Sequence, residues 1–503
     1  MASQKHILAH ATTLPAGLHC INLENGEELW WFDPDGNALG ATPAVDQSNN
    51  LIYFQARNRL WKINALNGAL LDFVTVTDPN NFQCGNTVLV DDGHGYFIAV
   101  QYNDWKANGG AVKVYDINLD LVWEVKDLNL NLKTVLAYYD GVIYVGFGNN
   151  FNYPDVVEWY SGGLENAGVK AYDITDGTLL WTYICDEDAE WEAYGRGVID
   201  VIYCNGYVVF NTHRDNAEIY ILDASDGSLV KKWEGDFGKA DACAPAALSG
   251  GRLYWGSLQD NKIICVQIGI GDYKDWNTFG STPQLNHNVA HEDSLQSIAD
   301  TPVLVGMITG GNQGGIIIDS VGYFLNETLN TVKFNATTLA IINNFASGNI
   351  YDSTPLMIKN LADNDVLLIK ESLNARVIAI NPETGDRLWN SEGNIAGNLF
   401  FGMNYYESAF VQMINGMTSA EYISALNDNF TSLNALVGDA ASLTTITDEL
   451  IGQDLLDAIN GNVAALNAEI DPPVDWTDIE LGETGLSANT KLNEFNTAFK
   501  LAV

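Results

Sequence analysis

The stretch "VKAYDITDGTLLWTY", residues 169 to 183, decides the fold because its pattern recurs along the chain. A strand-like run ends at Asp173, a turn carries Gly177, and a second run closes on Trp181. The position of Asp173, here called the anchor, recurs at 22, 64, 116, 223, about 267, 335 and 381. Self-similarity at a spacing of about 40 to 70 residues predicts a repeat architecture.

Each repeat is predicted to be four short antiparallel strands. The anchor joins two of them through a tight turn, in which Asp or Asn caps its own backbone and glycine supplies a positive φ. Two further strand-like runs precede each anchor, such as "TPAVD" and "NLIYFQAR" before the second. A sheet this small is stable only when it packs on neighbours around a ring. We therefore predict a mainly β fold, an eight-bladed β-propeller of four-stranded antiparallel blades.

The predicted propeller covers residues 1–414. The first unit supplies only three strands, so we expect a strand near residues 398–412 to complete its sheet and close the ring. The large flat ring of the terminal tryptophan suits the wedge between blades, and its N–H needs a partner such as a neighbouring carbonyl. The predicted blade-docking residues are Trp30, Trp123, Trp181, Trp233 and Trp389.

The repeats "AYDITDGTLLW" and "AINPETGDRLW" resemble those of the quinoprotein (PQQ-like) β-propellers. That resemblance spans about four fifths of the chain and implies the fold. Its members include quinone-dependent dehydrogenases as well as non-enzymatic scaffolds, so fold alone does not give function. A quinone enzyme of this family implies an axial calcium-holding set and often a vicinal cysteine pair. No Cys-Cys pair occurs here and no axial carboxylate set can be assigned, so we expect a protein that is not an enzyme.

The chain is strongly acidic, with 64 acidic and 24 basic residues and a formal charge of −40. Such a field repels nucleic acid, so we expect no nucleic-acid partner. The six cysteines lack C-x-x-C spacing and read as buried thiols. We expect neither a signal peptide nor insertion into a membrane, and therefore synthesis in a cytoplasm.

Metal-site candidates are weak. His287 and His291 lie four residues apart in "HNVAHED", and Asp186 and Asp188 belong to an acidic turn. Neither stretch has the H-E-x-x-H or EF-hand spacing, and a polar loop or an acidic turn is the alternative for each. We expect no cofactor, with calcium as the only cation that such turns could hold for structure.

Long insertions carry aromatic residues beside carboxylates. In a propeller, the loops between second and third strands and those between blades open on one face, where we place all these insertions. Exposed aromatic side chains on a rigid scaffold suit binding, and planar rings beside carboxylates suit sugars; the alternative is that the rings cover the propeller. The candidate ligand-binding residues are Trp105, Trp159, Tyr160, Trp191, Tyr273 and Trp276.

Residues 415–503 are predicted to be a helical assembly or anchoring module. Apolar residues recur at spacings of three and four from Ile423 to Ala440 and from Leu456 to Ile470, and a third amphipathic stretch ends the sequence. Asn427, Asn434 and Asn467 lie near these seams and could fix register or partner number. A small intramolecular bundle is the alternative.

The stretch "TSAEYISALNDNFTSLNALVG", residues 418 to 438, resembles a segment of tailed-phage virion proteins, in which an Asn-x-Asn-Phe core leads into a helical stem. The resemblance implies a virion structural protein, in the tail or fibre or on the capsid. Its propeller would bind a host surface glycan or a neighbouring virion protein. Residues 415–503 would join it to other virion proteins or to further copies. A cellular binding scaffold and a quinone-dependent dehydrogenase are the alternatives.

Overall fold

A computed structural model gives the fold of this chain. The described residues are 5–11, 17–23, 25–34, 42–47, 49–56, 58–76, 83–104, 109–128, 136–147, 167–185, 198–212, 218–234, 246–257, 262–270, 303–309, 315–318, 320–325, 330–346, 356–361, 364–371, 376–391, 404–407, 419–437, 440–447, 453–470, 473–474, 479, 491–492 and 495.

Seven four-stranded antiparallel sheets are each built from consecutive strands, and we call them blades 1 to 7. Blade 1 holds β4 (Ala44–Asp46), β5 (Leu51–Ala56), β6 (Arg59–Asn64) and β7 (Leu70–Thr75), and blade 2 holds β8 (Gln83–Asp92), β9 (Gly95–Asp104), β10 (Gly109–Tyr115) and β11 (Leu121–Leu128). Blade 3 holds β12 (Ala137–Tyr139), β13 (Val142–Phe147), β14 (Gly168–Asp173) and β15 (Leu179–Ile184). Blade 4 holds β16 (Val198–Cys204), β17 (Tyr207–Thr212), β18 (Ile219–Asp223) and β19 (Leu229–Trp233).

Blades 5 to 7 follow the same order. Blade 5 holds β20 (Ala247–Ser249), β21 (Arg252–Ser257), β22 (Lys262–Gln267) and β23 (Val303–Thr309). Blade 6 holds β24 (Gly315–Ile318), β25 (Val321–Leu325), β26 (Asn330–Asn335) and β27 (Ile341–Ala346). Blade 7 holds β28 (Leu356–Leu361), β29 (Asn364–Glu371), β30 (Arg376–Ile380) and β31 (Arg387–Asn390).

One further sheet combines distant parts of the chain, and we call it the composite sheet. It holds β1 (Lys5–Ala11), β2 (Gly17–Asn22), β3 (Glu28–Phe32) and β32 (Asn404–Glu407), and β32 pairs with β1. The prediction of eight blades is therefore corrected: the chain forms seven contiguous blades. The composite sheet differs from the blades because its strands are not consecutive: its inner strand β32, next to β1, comes from far along the chain.

The core lies between the sheets. One buried cluster joins Leu18 of the composite sheet with Ile52 and Trp61 of blade 1, and another joins Val114 of blade 2 with Ile143 of blade 3. First strands such as β4 are fully buried, whereas fourth strands such as β7 are mostly exposed. The first strands therefore lie inside the ring and the fourth strands form its outer rim.

The anchor turns follow the predicted chemistry. In blade 3 the Gly177 N–H donates to the Asp173 carbonyl at 2.9 Å, and the Thr175 N–H donates to the Asp173 carboxylate at 2.8 Å. Gly177 has a φ of 73°, in the left-handed region that glycine enters without steric cost. The turn thus ends the third strand and reverses the chain into the fourth.

In the described part of the chain, α1 (Ser419–Leu436) and α2 (Gln453–Asn467) follow the propeller, and Lys491, Leu492 and Phe495 are also helical. One buried core combines Leu426 and Phe430 of α1, Val463 of α2 and Phe495 further along the chain. Helix α2 begins at Gln453, three residues before Leu456, where the predicted apolar spacing starts, and residues 441–447 are not helical.

Candidate functional site

The ring has two edges with different connections. The loop edge carries the connections from second to third strands and from one blade to the next, and the turn edge carries the two tight turns of each blade. Trp105 falls between β9 and β10, Trp159 and Tyr160 between β13 and β14, and Trp191 between β15 and β16. These side chains lie outside the described residues, but the strand ends place their connections at the loop edge.

The connection that contains Tyr273 and Trp276 belongs to the other edge. Residues 271–302 join β22 to β23, the third and fourth strands of one blade, and not two blades as predicted. The insertion replaces an anchor turn, so it leaves and re-enters at the turn edge. The strand ends therefore place this connection, but not the side chains of Tyr273 and Trp276, at the turn edge. Both residues lie outside the described residues, so the shared face of the six aromatic residues stays a prediction.

The metal-site candidates also lie outside the described residues. His287 and His291 fall in the connection at the turn edge, whereas Asp186 and Asp188 follow β15 at the loop edge. Within the described part of the chain, no group of three or more His, Cys, Asp or Glu side chains is placed to hold a metal ion.

Tryptophan side chains join neighbouring sheets through one repeated hydrogen bond. Each indole N–H donates to the carbonyl of the residue directly after the next anchor. The pairs are Trp30 with Ala65 at 3.1 Å, Trp123 with Ile174 at 2.7 Å, Trp181 with Ala224 at 3.0 Å, and Trp389 with Leu23 at 2.8 Å. The last pair joins blade 7 to the composite sheet.

The glycine of each of these turns lies against the ring of the preceding tryptophan. A Cβ added to Gly227 would lie 2.5 Å from Trp181, and one added to Gly68 would lie 2.5 Å from Trp30. No real Cβ tolerates such a distance, so the tryptophan and the next glycine form one docking unit. The glycine is needed for the close approach as well as for its φ.

Two boundaries use cations in place of tryptophan. Lys62 of blade 1 donates to the Ile117 carbonyl of blade 2 at 2.8 Å. Arg252 of blade 5 donates to the Ala336 carbonyl of blade 6 at 2.6 Å, as does the Tyr254 hydroxyl at 2.8 Å. Both acceptors again follow an anchor directly, so different donors serve the same carbonyl position.

The turns at these two boundaries lack glycine at the docking position. Leu119 and Leu339 take its place with φ values of 64° and 61°. Aromatic docking therefore occurs where the next turn offers glycine, and cationic docking occurs where it offers leucine. Between blades 6 and 7 both elements occur: Phe345 lies against Gly385 and Lys333 donates to the Pro382 carbonyl at 2.8 Å.

Trp233 departs from the pattern. Its side chain is buried in the cluster between blades 4 and 5, yet its indole nitrogen has no hydrogen-bond partner in the described part of the chain. Trp233 lies six residues after Gly227, whereas Trp181 lies four residues after Gly177. The position directly after the bulged residue, which Trp181 occupies in blade 3, is therefore taken by Lys231. Trp233 therefore docks by packing alone.

Tyrosine hydroxyls join neighbouring blades at the turn edge. Tyr96 of blade 2 donates to Asp46 of blade 1 at 2.6 Å, and Tyr138 of blade 3 donates to Asp92 of blade 2. Burial and the adjacent carboxylates raise the pKa of both phenols far above the usual value. These tyrosines are therefore neutral donors that hold blades together and not phenolate nucleophiles.

The described thiols are also unreactive by position. Cys20, Cys185, Cys204 and Cys265 are buried thiols that take part in no disulfide bond. Burial raises the pKa of Cys204 to about 12 and that of Cys265 to about 11. A thiol that stays protonated is neither a good nucleophile nor a metal ligand, which agrees with the structural interpretation of these residues.

The outer rim carries one repeated feature in every sheet. The register between the third and fourth strands shifts at the same repeat position, which leaves one fourth-strand residue unpaired as a β-bulge. The bulged residues are all aliphatic: Leu29, Leu71, Val122, Leu180, Val230, Val305, Ile342 and Leu388. Most of them are about half exposed, so the rim presents apolar side chains to solvent.

Asparagine side chains clamp the backbone in the C-terminal unit. Asn427 accepts from the Ile446 N–H at 2.8 Å and donates to the Ile446 carbonyl at 2.7 Å. Asn460 makes the same two contacts with Ile479, each at 3.0 Å. Asn434 and Asn467 clamp Ala441 and Val474 in the same way. These asparagines therefore fix loops of their own chain instead of pairing across a helical seam.

The asparagine clamps show a tandem repeat that the helical spacing of the apolar residues did not indicate. Helix α1 contains "ALNDNFTSLN" from residue 425, and α2 contains "AINGNVAALN" from residue 458. The two stretches are 33 residues apart, as are their clamped partners Ile446 and Ile479. Asn462 of the second unit clamps Thr444 of the first at 2.7 and 2.9 Å, so one unit stacks on the next. The spacing of the Asn pairs in the sequence could have shown this.

Comparison with solved structures identifies the fold as a PQQ-like β-propeller. A europium-containing methanol dehydrogenase is similar over 73% of this chain and 81% of its own, with 14% identity and a TM-score of 0.50. The quinohemoprotein alcohol dehydrogenase from Comamonas testosteroni is similar over 72% of this chain and 69% of its own, with 12% identity and a TM-score of 0.46.

BamB from Moraxella catarrhalis is similar over 62% of this chain and 79% of its own, with 14% identity and a TM-score of 0.36. No protein-family model matches the sequence, and no curated protein matches it either. At such identities the likeness concerns the fold and carries no activity over to this chain. Among the described helices, none is long and apolar enough to cross a bilayer.

Proposed function

We propose that this chain is a non-enzymatic structural protein of a tailed-phage virion. The propeller is a rigid head that binds a host surface glycan or a neighbouring virion protein. Residues 415–503 join the head to other virion proteins or to further copies of the chain. The chain thus works in the particle, after synthesis in the cytoplasm of the infected cell.

The observation that carries this proposal is the separate core of the C-terminal unit. Its buried cluster runs from Leu426 to Phe495 and, among the residues that the structure describes, includes none from the propeller. The ring closes without it, because β32 completes the composite sheet before α1 begins. A unit with its own core, appended to a closed ring, suits attachment better than support of the ring.

The resemblance of residues 418–438 to tailed-phage virion proteins is the reason for proposing that the chain acts in a phage particle. Those residues include most of α1, whose Asn427 and Asn434 clamp the following loop. The phage-like motif thus coincides with the part of the sequence that specifies the stacked helical units.

The direct test is to find the chain in particles. Phage particles from a culture that produces the chain are purified on a density gradient, and peptides are quantified against those of known capsid and tail proteins. We expect a fixed number of copies per particle. Recovery of the chain only from the cell fraction, with none at the particle density, would overturn the proposal.

The head's ligand is tested on a glycan array with the full chain. Substitution of Trp159 or Trp191 by alanine, at the loop edge, should abolish glycan binding. Tyr273→Ala is the matched control, because its connection leaves from the turn edge. Equal loss in all three variants would contradict binding at the loop edge. No binding by the unmodified chain would favour a virion protein as the ligand.

A further inference from the structure

We propose that Trp31 and Glu28, on the outer strand of the composite sheet, form a binding site for an arginine side chain of a partner protein. The inference goes beyond the proposed function and does not depend on it. It rests on one pair of repeat positions, which the composite sheet fills differently from blades 1 to 4.

This pair joins the third and fourth strands of a sheet, and we call it the outer pair. Its first member is the third-strand residue three places before the anchor, and its second member is the fourth-strand residue opposite. In the composite sheet the outer pair is His19 with Trp31. In blade 1 it is Trp61 with Phe73. Both members are aromatic in each case, so the two sheets can be compared directly.

In blade 1 a cation of the same chain lies over the outer pair. The Arg59 guanidinium carbon lies 4.6 Å from the ring centre of Phe73 and 5.1 Å from that of Trp61. Arg59 is located two places before Trp61 on β6. The electron-rich face of a ring attracts a cation, and the flat guanidinium suits stacking on it. Blade 1 therefore shows which group an aromatic outer pair accommodates.

Blades 2 to 4 also bring a cation to a ring at this level. In each of them a lysine of the outer pair lies near an aromatic ring of its own blade. The contacts are Lys113 with Tyr102 at 5.4 Å, Lys170 with Phe147 at 5.2 Å, and Lys232 with Tyr220 at 5.5 Å. In blades 5 to 7 the outer pairs contain no aromatic residue: Ile264 with Met307, Val332 with Asn344, and Ile378 with Asn390.

The composite sheet cannot supply a cation from the position that Arg59 holds in blade 1. The residue two places before His19 is Gly17. A Cβ there would lie 2.2 Å from the Phe32 carbonyl oxygen and 2.5 Å from Trp31 Nε1, so a long side chain does not fit. Trp31 is 41% exposed, so a cation of another molecule can reach its ring.

Glu28 adds a carboxylate on the same face of the sheet. Its Oε2 lies 2.7 Å from Nδ1 of His19, which is fully buried and stacks on Trp31 with ring centres 6.1 Å apart. His19 therefore holds the carboxylate close to the indole. The other oxygen, Oε1, has no hydrogen-bond partner among the described residues, and the Glu28 side chain is 39% exposed. A guanidinium can stack on an indole and donate to a carboxylate at the same time.

The carboxylate is particular to this sheet. Glu28 directly precedes the bulged residue of its fourth strand. In the seven blades that the structure describes, that position is aliphatic or basic: Leu70, Leu121, Leu179, Leu229, Leu304, Ile341 and Arg387. An aromatic outer pair with a neighbouring carboxylate thus occurs in the composite sheet, whereas blade 1 has an aromatic outer pair with its own arginine.

Charge and exposure favour an arginine that belongs to a protein. A chain of formal charge −40 attracts basic partners. Small-molecule sites are concave and bury most of their ligand, whereas Trp31 and Glu28 lie on an outer strand and are both exposed. A free guanidinium compound would be enclosed on one side only. An arginine carried by a protein is covered from the other side, and tryptophan and arginine are enriched among the residues that dominate protein interfaces.

The test is NMR of the full chain with ¹⁵N-labelled tryptophan, titrated with acetyl-arginine methylamide up to about ten times a dissociation constant on the order of 1 mM. The chain has 13 tryptophans, and the Trp31 indole signal is identified by its loss in Trp31→Phe. We expect this signal to shift saturably. Acetyl-citrulline methylamide has nearly the same shape without the charge and should not shift it. No shift with the arginine compound, or an equal shift with the citrulline compound, would overturn the proposal.

Two further ligands test the chemistry and its source. Acetyl-lysine methylamide should bind more weakly, because an ammonium neither stacks nor donates through a fork. Equal affinity for the lysine compound would overturn the choice of a guanidinium. A peptide with one arginine between serines should bind at least as tightly as the arginine compound. Weaker binding of that peptide would overturn a protein as the source of the arginine.

Variants locate the contact, with affinity measured by saturation-transfer NMR on the ligand. Glu28→Gln should weaken binding of the arginine compound at least about fivefold, because a charged hydrogen bond is lost. Glu27→Gln is the matched control, since it removes the same charge from the adjacent exposed residue. Trp31→Leu should weaken binding as well. Thermal unfolding of each variant shows that it is folded.

The outcomes separate this site from the acidic surface in general. Weaker binding in Glu28→Gln and Trp31→Leu, with Glu27→Gln unchanged, supports the proposal. Equal losses in the two glutamate variants would mean that overall charge attracts the ligand, and affinity that survives Trp31→Leu would remove the ring from the site. Either result overturns the proposal.

Discussion

The boundary between blades 3 and 4 and the boundary between blades 1 and 2 join neighbouring sheets with different side chains. At the first, Trp181 packs on Gly227 and donates to the Ala224 carbonyl. At the second, Lys62 reaches the Ile117 carbonyl past a turn that carries Leu119. The acceptor has the same repeat position in both, so the backbone geometry is kept while the donor changes.

The comparison shows that the tryptophan and the glycine depend on each other across a boundary. The ring needs a surface without a Cβ, and that surface belongs to the next repeat. Where leucine occupies that place, at Leu119 and Leu339, a flexible cation makes the hydrogen bond to the same carbonyl position. The unit that must be kept intact is therefore a pair of residues about 45 apart, not a single repeat.

The largest effect is expected for Gly227→Ala. A Cβ there would lie 2.5 Å from Trp181, and the residue has a φ of 72°. The strain of the left-handed backbone and the clash together should lower the free energy of unfolding by about 3 to 5 kcal/mol in chemical denaturation. Gly206→Ala is the control, because its φ is 85° and nothing lies within 4 Å. Equal losses in both variants would remove the clash from the explanation.

Lys62→Met sharpens the comparison at the cationic boundary. It removes the donor to the Ile117 carbonyl and should cost about 2 kcal/mol of unfolding free energy, as expected for a partly buried hydrogen bond from a charged group. Lys126→Met is the control, since Lys126 is mostly exposed and pairs with Glu124 at 3.2 Å. An exposed pair contributes little, so the control should change stability by less than about 0.5 kcal/mol. Similar losses would argue against a docking role for Lys62.

Trp181→Phe compared with Trp233→Phe isolates the indole hydrogen bond. Both substitutions shrink a buried ring, but only Trp181 donates to a carbonyl of the next blade. The difference in unfolding free energy between the two variants should be about 1 kcal/mol, with Trp181→Phe the less stable. Denaturation of the two variants side by side measures it. A difference of zero would mean that packing alone joins these blades.

The smallest effect concerns His94 and Asp140, which join blades 2 and 3 on the turn edge at 3.1 Å. The hydrogen bond to Asp140 raises the pKa of His94 above 6.5. A raised folded-state pKa stabilises the fold at pH values below the unfolded pKa, and this contribution is lost as the pH rises through the folded pKa. NMR titration should show the His94 pKa falling in Asp140→Asn and staying in place in Asp176→Asn. An unchanged His94 pKa in Asp140→Asn would show that Asp140 does not raise it.

The sequence predicted the four-stranded units because anchor, glycine and strand runs recur at fixed offsets. It predicted the docking tryptophans because they complete the same pattern. It did not show Lys62 or Arg252 as donors, since the two occupy different positions in the repeat: Lys62 lies two residues before its anchor on the third strand, and Arg252 lies on the second strand. Those contacts depend on which residue the next blade places opposite, and a single repeat does not contain that information.

The insertion at 271–302 was assigned to the wrong edge for a related reason. The fourth strand of blade 5 contains no tryptophan, whereas "DYKDW" after its anchor ends in Trp276 and resembles a fourth strand. The actual fourth strand, β23, begins at Val303. The repeat of 33 residues in the C-terminal unit was missed because helical spacing of three and four describes each helix well by itself. Only the clamps from Asn427 and Asn460 to their loops show that two helices are copies.

The pairing of β1 with β32 has a consequence for synthesis on the ribosome. Leu8 pairs with Asn404, so strand β1 is made long before its inner neighbour exists. At about 5–20 residues per second, roughly 20 to 80 seconds separate the two. Throughout that interval the nascent chain exposes an unpaired inner edge on β1 while the blades between them form. Chaperones that shield strand edges would act in this interval, and a ribosome stalled before residue 404 would leave a complete set of blades without a closed ring.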